Sequence, residues 1–197
     1  MVPTLYIGIM SGTSLDGIDL VLADFTTRPS LLSSCLLPFP ANLQRELRSL
    51  AEPVDNEVER IGPVEHQLAE CYAAGVKQLL KQANYQPEQI KAIGCHGQTI
   101  RHRPNQTQPF TMQLGNMHLL AALTGIRVIA DFRRKDMAYG GQGAPLVPAF
   151  HQAVFAKAGK NRAVVNIGGI ANISLLQADG TITGYDTGPG NCLMDDW

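Results

Sequence analysis

The run Tyr6-Ile7-Gly8-Ile9-Met10-Ser11-Gly12-Thr13-Ser14-Leu15-Asp16-Gly17-Ile18-Asp19 constrains the fold more than any other segment. An apolar strand pattern breaks into a loop of Gly, Ser, Thr and Asp, then returns to apolar residues at Ile18 to Leu22. Small residues let backbone N–H groups approach an anion closely, and hydroxyls add further donors. The loop's two carboxylates would repel a bare phosphate, so a divalent cation is expected between them and the anion. The segment therefore reads as a site for nucleotide phosphates plus metal. A hairpin with a long polar turn is the plainer alternative.

Composition sets outer limits. With 45% hydrophobic and 17% charged residues, a chain of 197 residues can bury a real core in one large domain, or in one domain plus part of another. A formal net charge of −1 gives no electrostatic reason to expect nucleic acid or an anionic membrane as partner. No apolar run approaches the roughly 18 residues of a bilayer span, and no basic segment precedes an apolar stretch as in a secretory leader. Cys35, Cys71, Cys95 and Cys192 match neither a disulfide framework nor a metal knuckle, so the cytoplasm is the expected compartment.

Further along, strands are expected at about 4–10, 17–25 and 31–38, forming an antiparallel meander, followed by a short helix over 41–51. From Val58, apolar residues at Ile61, Val64, Leu68, Cys71, Tyr72, Val76, Leu79 and Leu80 repeat every three or four positions. That spacing predicts a long amphipathic helix stopping near Asn84, with Cys71 and Tyr72 in the core. A buried strand at 91–95 is expected to run into a loop at His96-Gly97-Gln98-Thr99. The stretch 117–124 reads as a helix leading into a strand at 127–130.

The second half repeats one idea, an apolar strand followed by a small polar corner. Val164–Ile167 gives way to Gly168-Gly169, Ile170–Leu176 reads as a paired strand, and Thr181–Tyr185 is expected to end at Asp186-Thr187-Gly188-Pro189-Gly190-Asn191. Pro145 suits the first turn of a helix over about 145–157. Strand-then-loop corners are where α/β sheets hold ligands, and glycine corners facing one cleft are what a two-lobed phosphotransferase needs. Neither a P-loop nor a Rossmann fingerprint is present.

Six ordered segments make the reading specific: Met10–Gly17, Gly94–Thr99, Ala130–Arg134, Gly140–Leu146, Asn166–Gly169 and Asp186–Asn191. Together they resemble the anhydro-N-acetylmuramic acid kinase family of bacterial cell-wall recycling, across essentially the whole chain. The resemblance implies an α/β fold of the actin/hexokinase (sugar kinase) type with ribonuclease H-like lobes. Residues 1–131 would form the first lobe, and 132–197 the start of a second, truncated one. It implies ATP and Mg²⁺ as cofactors, an amino sugar as small-molecule substrate, and a homodimer for the full-length form. The implied reaction opens the 1,6-anhydro ring with water and phosphorylates the 6-oxygen.

The family's ATP-phosphate segment maps onto Gly12, Thr13, Ser14, Leu15, Asp16, Gly17, Ile18 and Asp19, with a second phosphate corner at Gly168 and Gly169. Asp19 also fits a solvent-facing position on the second strand. Asp186 becomes the carboxylate base that activates water, although an Asp before Thr and Gly also fits a turn or cap. His96, Gln98 and Thr99 would hydrogen-bond the sugar, with strand capping as the alternative for His96. Arg133 or Arg134 would clamp the substrate carboxylate in a bidentate fork. Read as extended, that segment would send the two arginines opposite ways, so one faces the cleft. No dedicated protein metal site is expected, because His66, His102, His118 and His151 lack ligand spacing. A helical pattern starting at Cys192 has no C-cap, so the sequence reads as a partial chain with little or no activity of its own. An ATPase, or a sugar- or nucleotide-binding protein of the same fold without chemistry, is the alternative function.

Overall fold

The computed structural model describes residues 3–191. The expected helical pattern from Cys192 lies outside the described residues. The chain divides into two compact units, residues 1–103 with 110–132, and residues 104–109 with 133–197.

The first unit is built on a six-stranded mixed sheet. Strands β1 (Leu5–Ser11), β2 (Ile18–Asp24) and β3 (Ser30–Leu37) form the expected antiparallel meander. Alternation sorts their faces: Leu5, Ile7, Ile9, Ile18, Leu20 and Leu22 are buried, while Tyr6, Met10 and Val21 stay partly exposed. Two helices follow, α1 (Ala41–Leu50) and α2 (Glu57–Ala83). The apolar stripe of α2 buries Val64, Leu68, Tyr72, Val76 and Leu79 in the core. It ends where expected, with Asn84 in the left-handed conformation at φ 57°.

Strand β4 (Ile90–Arg103) lies parallel to β1 and is longer than the sequence predicts. His96, Gln98 and Thr99 belong to this strand rather than to a loop after it. The cause is β5 (Phe110–Leu114), which the sequence reading missed and which pairs antiparallel with β4 from Gln98 to Arg103. Gly94 and Gly97 look like breakers, but Gly97 marks a bulge instead. It sits at φ +75°, and a Cβ there would lie 2.7 Å from the Leu114 carbonyl oxygen. The register against β1 slips at this point, from Ile9↔Cys95 to Ser11↔Gln98. Helix α3 (Met117–Thr124) and the short β6 (Val128–Ile129), parallel to β4, complete the unit.

In the second unit, α4 (Phe132–Ala138) is helical where an extended segment was expected. Arg133 and Arg134 are therefore about 100° apart around a helix rather than on opposite sides of a strand. Helix α5 (Pro148–Phe155) starts at Pro148, not Pro145. The antiparallel sheet β7 (Arg162–Ile167), β8 (Ile170–Leu176) and β9 (Ile182–Pro189) follows in that order. The strand expected to end at Tyr185 runs on to Pro189, which pairs with Ile170. Proline is tolerated there because β9 is an edge strand. Helix α5 packs on one face of this sheet, where His151 Nδ1 lies 2.9 Å from the fully buried Ser174 hydroxyl.

Candidate functional site

In the first unit, the turn between β1 and β2 is held from beneath by side chains distant in sequence. The Ser11 hydroxyl, 1% exposed, lies 3.3 Å from the Tyr72 hydroxyl on α2. Gln98 Nε2 donates to the Gly12 carbonyl at 3.1 Å, and Gln44 Nε2 on α1 donates to the Leu15 carbonyl at 2.7 Å. Arg48 Nη2 reaches the Ser14 carbonyl at a looser 3.4 Å. The Leu15 N–H closes the turn onto the Gly12 carbonyl, with Leu15 at φ 57° and its side chain buried. Three carbonyls of the turn thus face the body of the unit. Because a trans peptide sets its C=O and N–H on opposite sides, the N–H groups of Thr13 and Asp16 are turned away from those anchors.

Thr13, Asp16 and Asp19 are exposed, and Ser14 Oγ donates to Asp16 Oδ1 at 3.0 Å. This arrangement offers N–H groups, hydroxyls and carboxylates outward, the donor set that a polyphosphate and a hard cation require. Ile18 takes a different part: its side chain is fully buried and its backbone pairs with Ser11. Asp19 pairs with Met10 on β2, on the sheet face opposite the core.

Gln98 departs from its expected role as a sugar contact. Its side chain is 1% exposed, its amide N–H groups go to the Gly12 and Thr99 carbonyls, and its Oε1 is buried without a partner. Thr99 accepts from Gln113 Nε2 at 3.1 Å, and His96 Nδ1 donates to the Gly97 carbonyl at 2.7 Å; both residues are half-buried.

In the second unit, two glycine corners meet. The Gly190 N–H donates to the Gly169 carbonyl and the Asn191 N–H to the Gly168 carbonyl, each at 2.8 Å. Asp186 is exposed, lies within β9 opposite Asn172, and precedes a bulge where Thr187 is the extra residue. Thr187 Oγ1 donates to the Ala171 carbonyl at 3.1 Å, anchoring the bulge. A bulge redirects neighbouring side chains, so the carboxylate is placed by sheet geometry rather than by a loop.

Arg133 is half-buried and donates from Nη1 to the Gly143 carbonyl at 2.6 Å, while Asp136 Oδ2 accepts the Gly143 N–H at 2.8 Å. Burial pulls the Arg133 guanidinium below its ordinary value, and the nearby Asp186 carboxylate acts in the opposite direction. Arg134 is exposed. Sequence reasoning missed Gln44, Tyr72 as a hydroxyl anchor, and Asp136. Gln44 and Tyr72 carry no local signal, since each acts on a residue remote from it in sequence; Asp136 acts on Gly143, seven positions on, through the turn that follows α4. Among the described residues no cluster of three His, Cys, Asp or Glu could hold a metal ion, and no helix is long and apolar enough to cross a membrane.

Residues 4–197 match the family model described as anhydro-N-acetylmuramic acid kinase. A relative of that name from Haemophilus influenzae is 54% identical over 197 residues, which cover 100% of this chain and 52% of the relative. Another, from Nitrosospira multiformis, is 55% identical over 193 residues, covering 98% of this chain and 53% of the relative. The chain thus spans about half the length of the curated relatives it matches. A solved structure described as a reductive activator for a corrinoid, iron-sulfur protein aligns at TM-score 0.50 and 13% identity, covering 95% of this chain and 32% of that one. That likeness concerns the fold alone.

Proposed function

The chain belongs to the anhydro-N-acetylmuramic acid kinase family, and from that premise we propose that it carries the phosphate-holding and water-activating residues of a sugar kinase. The fold is mixed α/β, and on the family resemblance we take it to be of the actin and hexokinase type. We take residues 1–131 as the first lobe and 132–197 as the start of the second. The reaction proposed for the whole protein is ATP-dependent opening of the 1,6-anhydro ring of anhydro-N-acetylmuramic acid, giving the 6-phosphate of N-acetylmuramic acid. The observation that carries this reading, beside family membership, is the turn at Gly12–Gly17 with its carbonyls tied inward.

Phosphoryl transfer demands positioning and charge neutralisation more than covalent work by the protein. The N–H groups of Thr13 and Asp16 and the Thr13 hydroxyl would hold phosphate oxygens, while the Ser14 hydroxyl, which donates to Asp16, would orient that carboxylate; Gly168 and Gly169 are proposed as a phosphate corner of the second unit. Asp16 and Asp19 would hold Mg²⁺, which supplies neutralisation of phosphate charge when bound. Asp186 would accept the proton of the attacking water, the role a solvent-reached carboxylate on a fixed strand can fill. Arg133 lies beside Asp186 and can balance charge there, whether from that carboxylate or from a substrate carboxylate. His96 and Thr99 remain the proposed sugar contacts of the first unit. The homodimer is proposed on the family resemblance, and the cytoplasmic location on the cysteine pattern.

The test is a chimera in which these 197 residues replace the matching segment of the Haemophilus influenzae relative. Incubated with MgATP and the anhydro sugar, it is expected to form N-acetylmuramic acid 6-phosphate, read by mass spectrometry. A folded chimera that yields no 6-phosphate refutes the proposal.

A further inference from the structure

We infer that Gln98 and Gln44 are positioning residues that set the shape of the β1–β2 turn through its carbonyls, without touching a ligand themselves. The inference deepens the phosphate-loop reading, and only the binding arm of its test rests on that reading. Two amide side chains from different elements converge on one turn: Gln98 from β4 takes the Gly12 carbonyl, and Gln44 from α1 takes the Leu15 carbonyl. These are the first and last carbonyls in the closed Gly12–Leu15 turn, which the Leu15 N–H bonds at 3.2 Å. Pinning both fixes the orientation of the two peptide planes whose N–H groups belong to Thr13 and Asp16.

The bulge at Gly97 is what makes this reach possible. It moves the β4 register by one residue, so that Gln98, rather than its predecessor, lies alongside Ser11 and next to the turn. Gln98 is 1% exposed, and its second amide proton goes to the Thr99 carbonyl at 3.3 Å, which fixes the amide's orientation: reversed, Oε1 would face two carbonyl oxygens. An amide is the right group for the task. Leucine of similar volume supplies no donor, and an ionised glutamate would oppose the carbonyl with negative charge. A protonated glutamate regains one donor, and burial raises a carboxyl's pKa.

The experiment uses the 197-residue chain with Gln98→Leu, Gln44→Leu and Gln98→Glu, read by backbone NMR. In the wild type, order parameters for Thr13 to Gly17 are expected near those of rigid backbone, about 0.85, falling below about 0.6 in Gln98→Leu. Exchange of the Leu15 amide should accelerate about tenfold in both leucine variants, while β1 amides paired to β2 far from the turn stay unchanged. Gln98→Glu should resemble the leucine variant at pH 8 and approach the wild type at pH 5, after correction for intrinsic exchange rates. A merely structural role for Gln98 would loosen the whole strand and give no such pH dependence, and that result overturns the proposal. So would unchanged order parameters and Leu15 exchange in both leucine variants. In the binding arm, inorganic triphosphate with Mg²⁺ is titrated by calorimetry, with about tenfold weaker binding expected in Gln98→Leu. No binding by the wild type would refute the phosphate-loop reading, while the NMR comparison still decides the positioning role.

Discussion

Removing the Tyr72 hydroxyl should destabilise the first unit, and removing Ser11's as well should restore part of the loss. Both side chains are 1% exposed, and their hydroxyls lie 3.3 Å apart. Tyr72→Phe therefore leaves the Ser11 hydroxyl buried without a partner, and Ser11→Ala does the same to the phenol. An orphaned buried hydroxyl costs about 1–3 kcal/mol, whereas the net worth of a satisfied pair is about 1 kcal/mol. The separation is long for two hydroxyls, so each single variant is expected near the lower end, about 1.5 kcal/mol. The double variant has no orphan and should lose only about 1 kcal/mol, giving a coupling of about −2 kcal/mol. The assay is urea unfolding followed by circular dichroism, with α2 amide exchange identifying the transition of the first unit and the slope checked for constancy. Strictly additive single effects, or a neutral Tyr72→Phe, would show that the two hydroxyls do not anchor each other.

Gly190→Ala would drive a Cβ into the Gly168 carbonyl oxygen and break the two 2.8 Å bonds joining the glycine corners; a loss of about 2 kcal/mol and a fall of roughly 10 °C in the second unit's Tm are expected, and unchanged melting would contradict this packing. Burial pushes the Cys95 thiol up to about 12 and raises the Tyr72 phenol too, so the folded state keeps both protonated while the unfolded chain ionises near pH 8.5 and 10. The unfolded state then binds fewer protons, so stability should fall as pH rises above about 8.5; a flat urea midpoint between pH 7 and 10 would refute the burial of both groups. In the chimera, Asp186→Asn should reduce turnover at least a hundredfold with sugar affinity retained, a range that general base catalysis supplies. Near-normal turnover would remove Asp186 from the mechanism. The 197 residues alone should turn over far more slowly than the chimera, measured in the same product assay.

The first unit was legible because its signals are local. Alternation fixed β1 and β2, the Gly, Ser, Thr and Asp break fixed the turn between them, and apolar spacing from Ile61 to Leu80 fixed α2. Strand β4 outruns the end that Gly94 and Gly97 suggest for a physical reason: glycine is a breaker only when nothing pairs with the backbone beyond it. Here β5 supplies that pairing, and the sequence Phe110-Thr111-Met112-Gln113-Leu114 is too short and too mixed to announce itself. In α4, the charged run at Arg133-Arg134-Lys135-Asp136 consists mostly of good helix formers, but reading it as extended ignored that propensity.

The candidate site divides along the same line. The sequence can nominate candidate residues because each motif that carries them is contiguous. What each residue does depends on contacts that contiguity does not encode. Gln98 stands 86 positions from the carbonyl it holds, and the bulge that aims it needs a glycine at 97, where a Cβ would meet the Leu114 carbonyl on β5. Asp186 was expected on a loop because Gly188, Pro189 and Gly190 follow it, yet β9 absorbs the proline at its free edge and places the carboxylate by register opposite Asn172. A carboxylate set on a paired strand is held more rigidly than one on a turn. The sequence's apparent flexibility at that corner is therefore misleading: its glycines serve the close approach of Gly190 to Gly168, not freedom of Asp186.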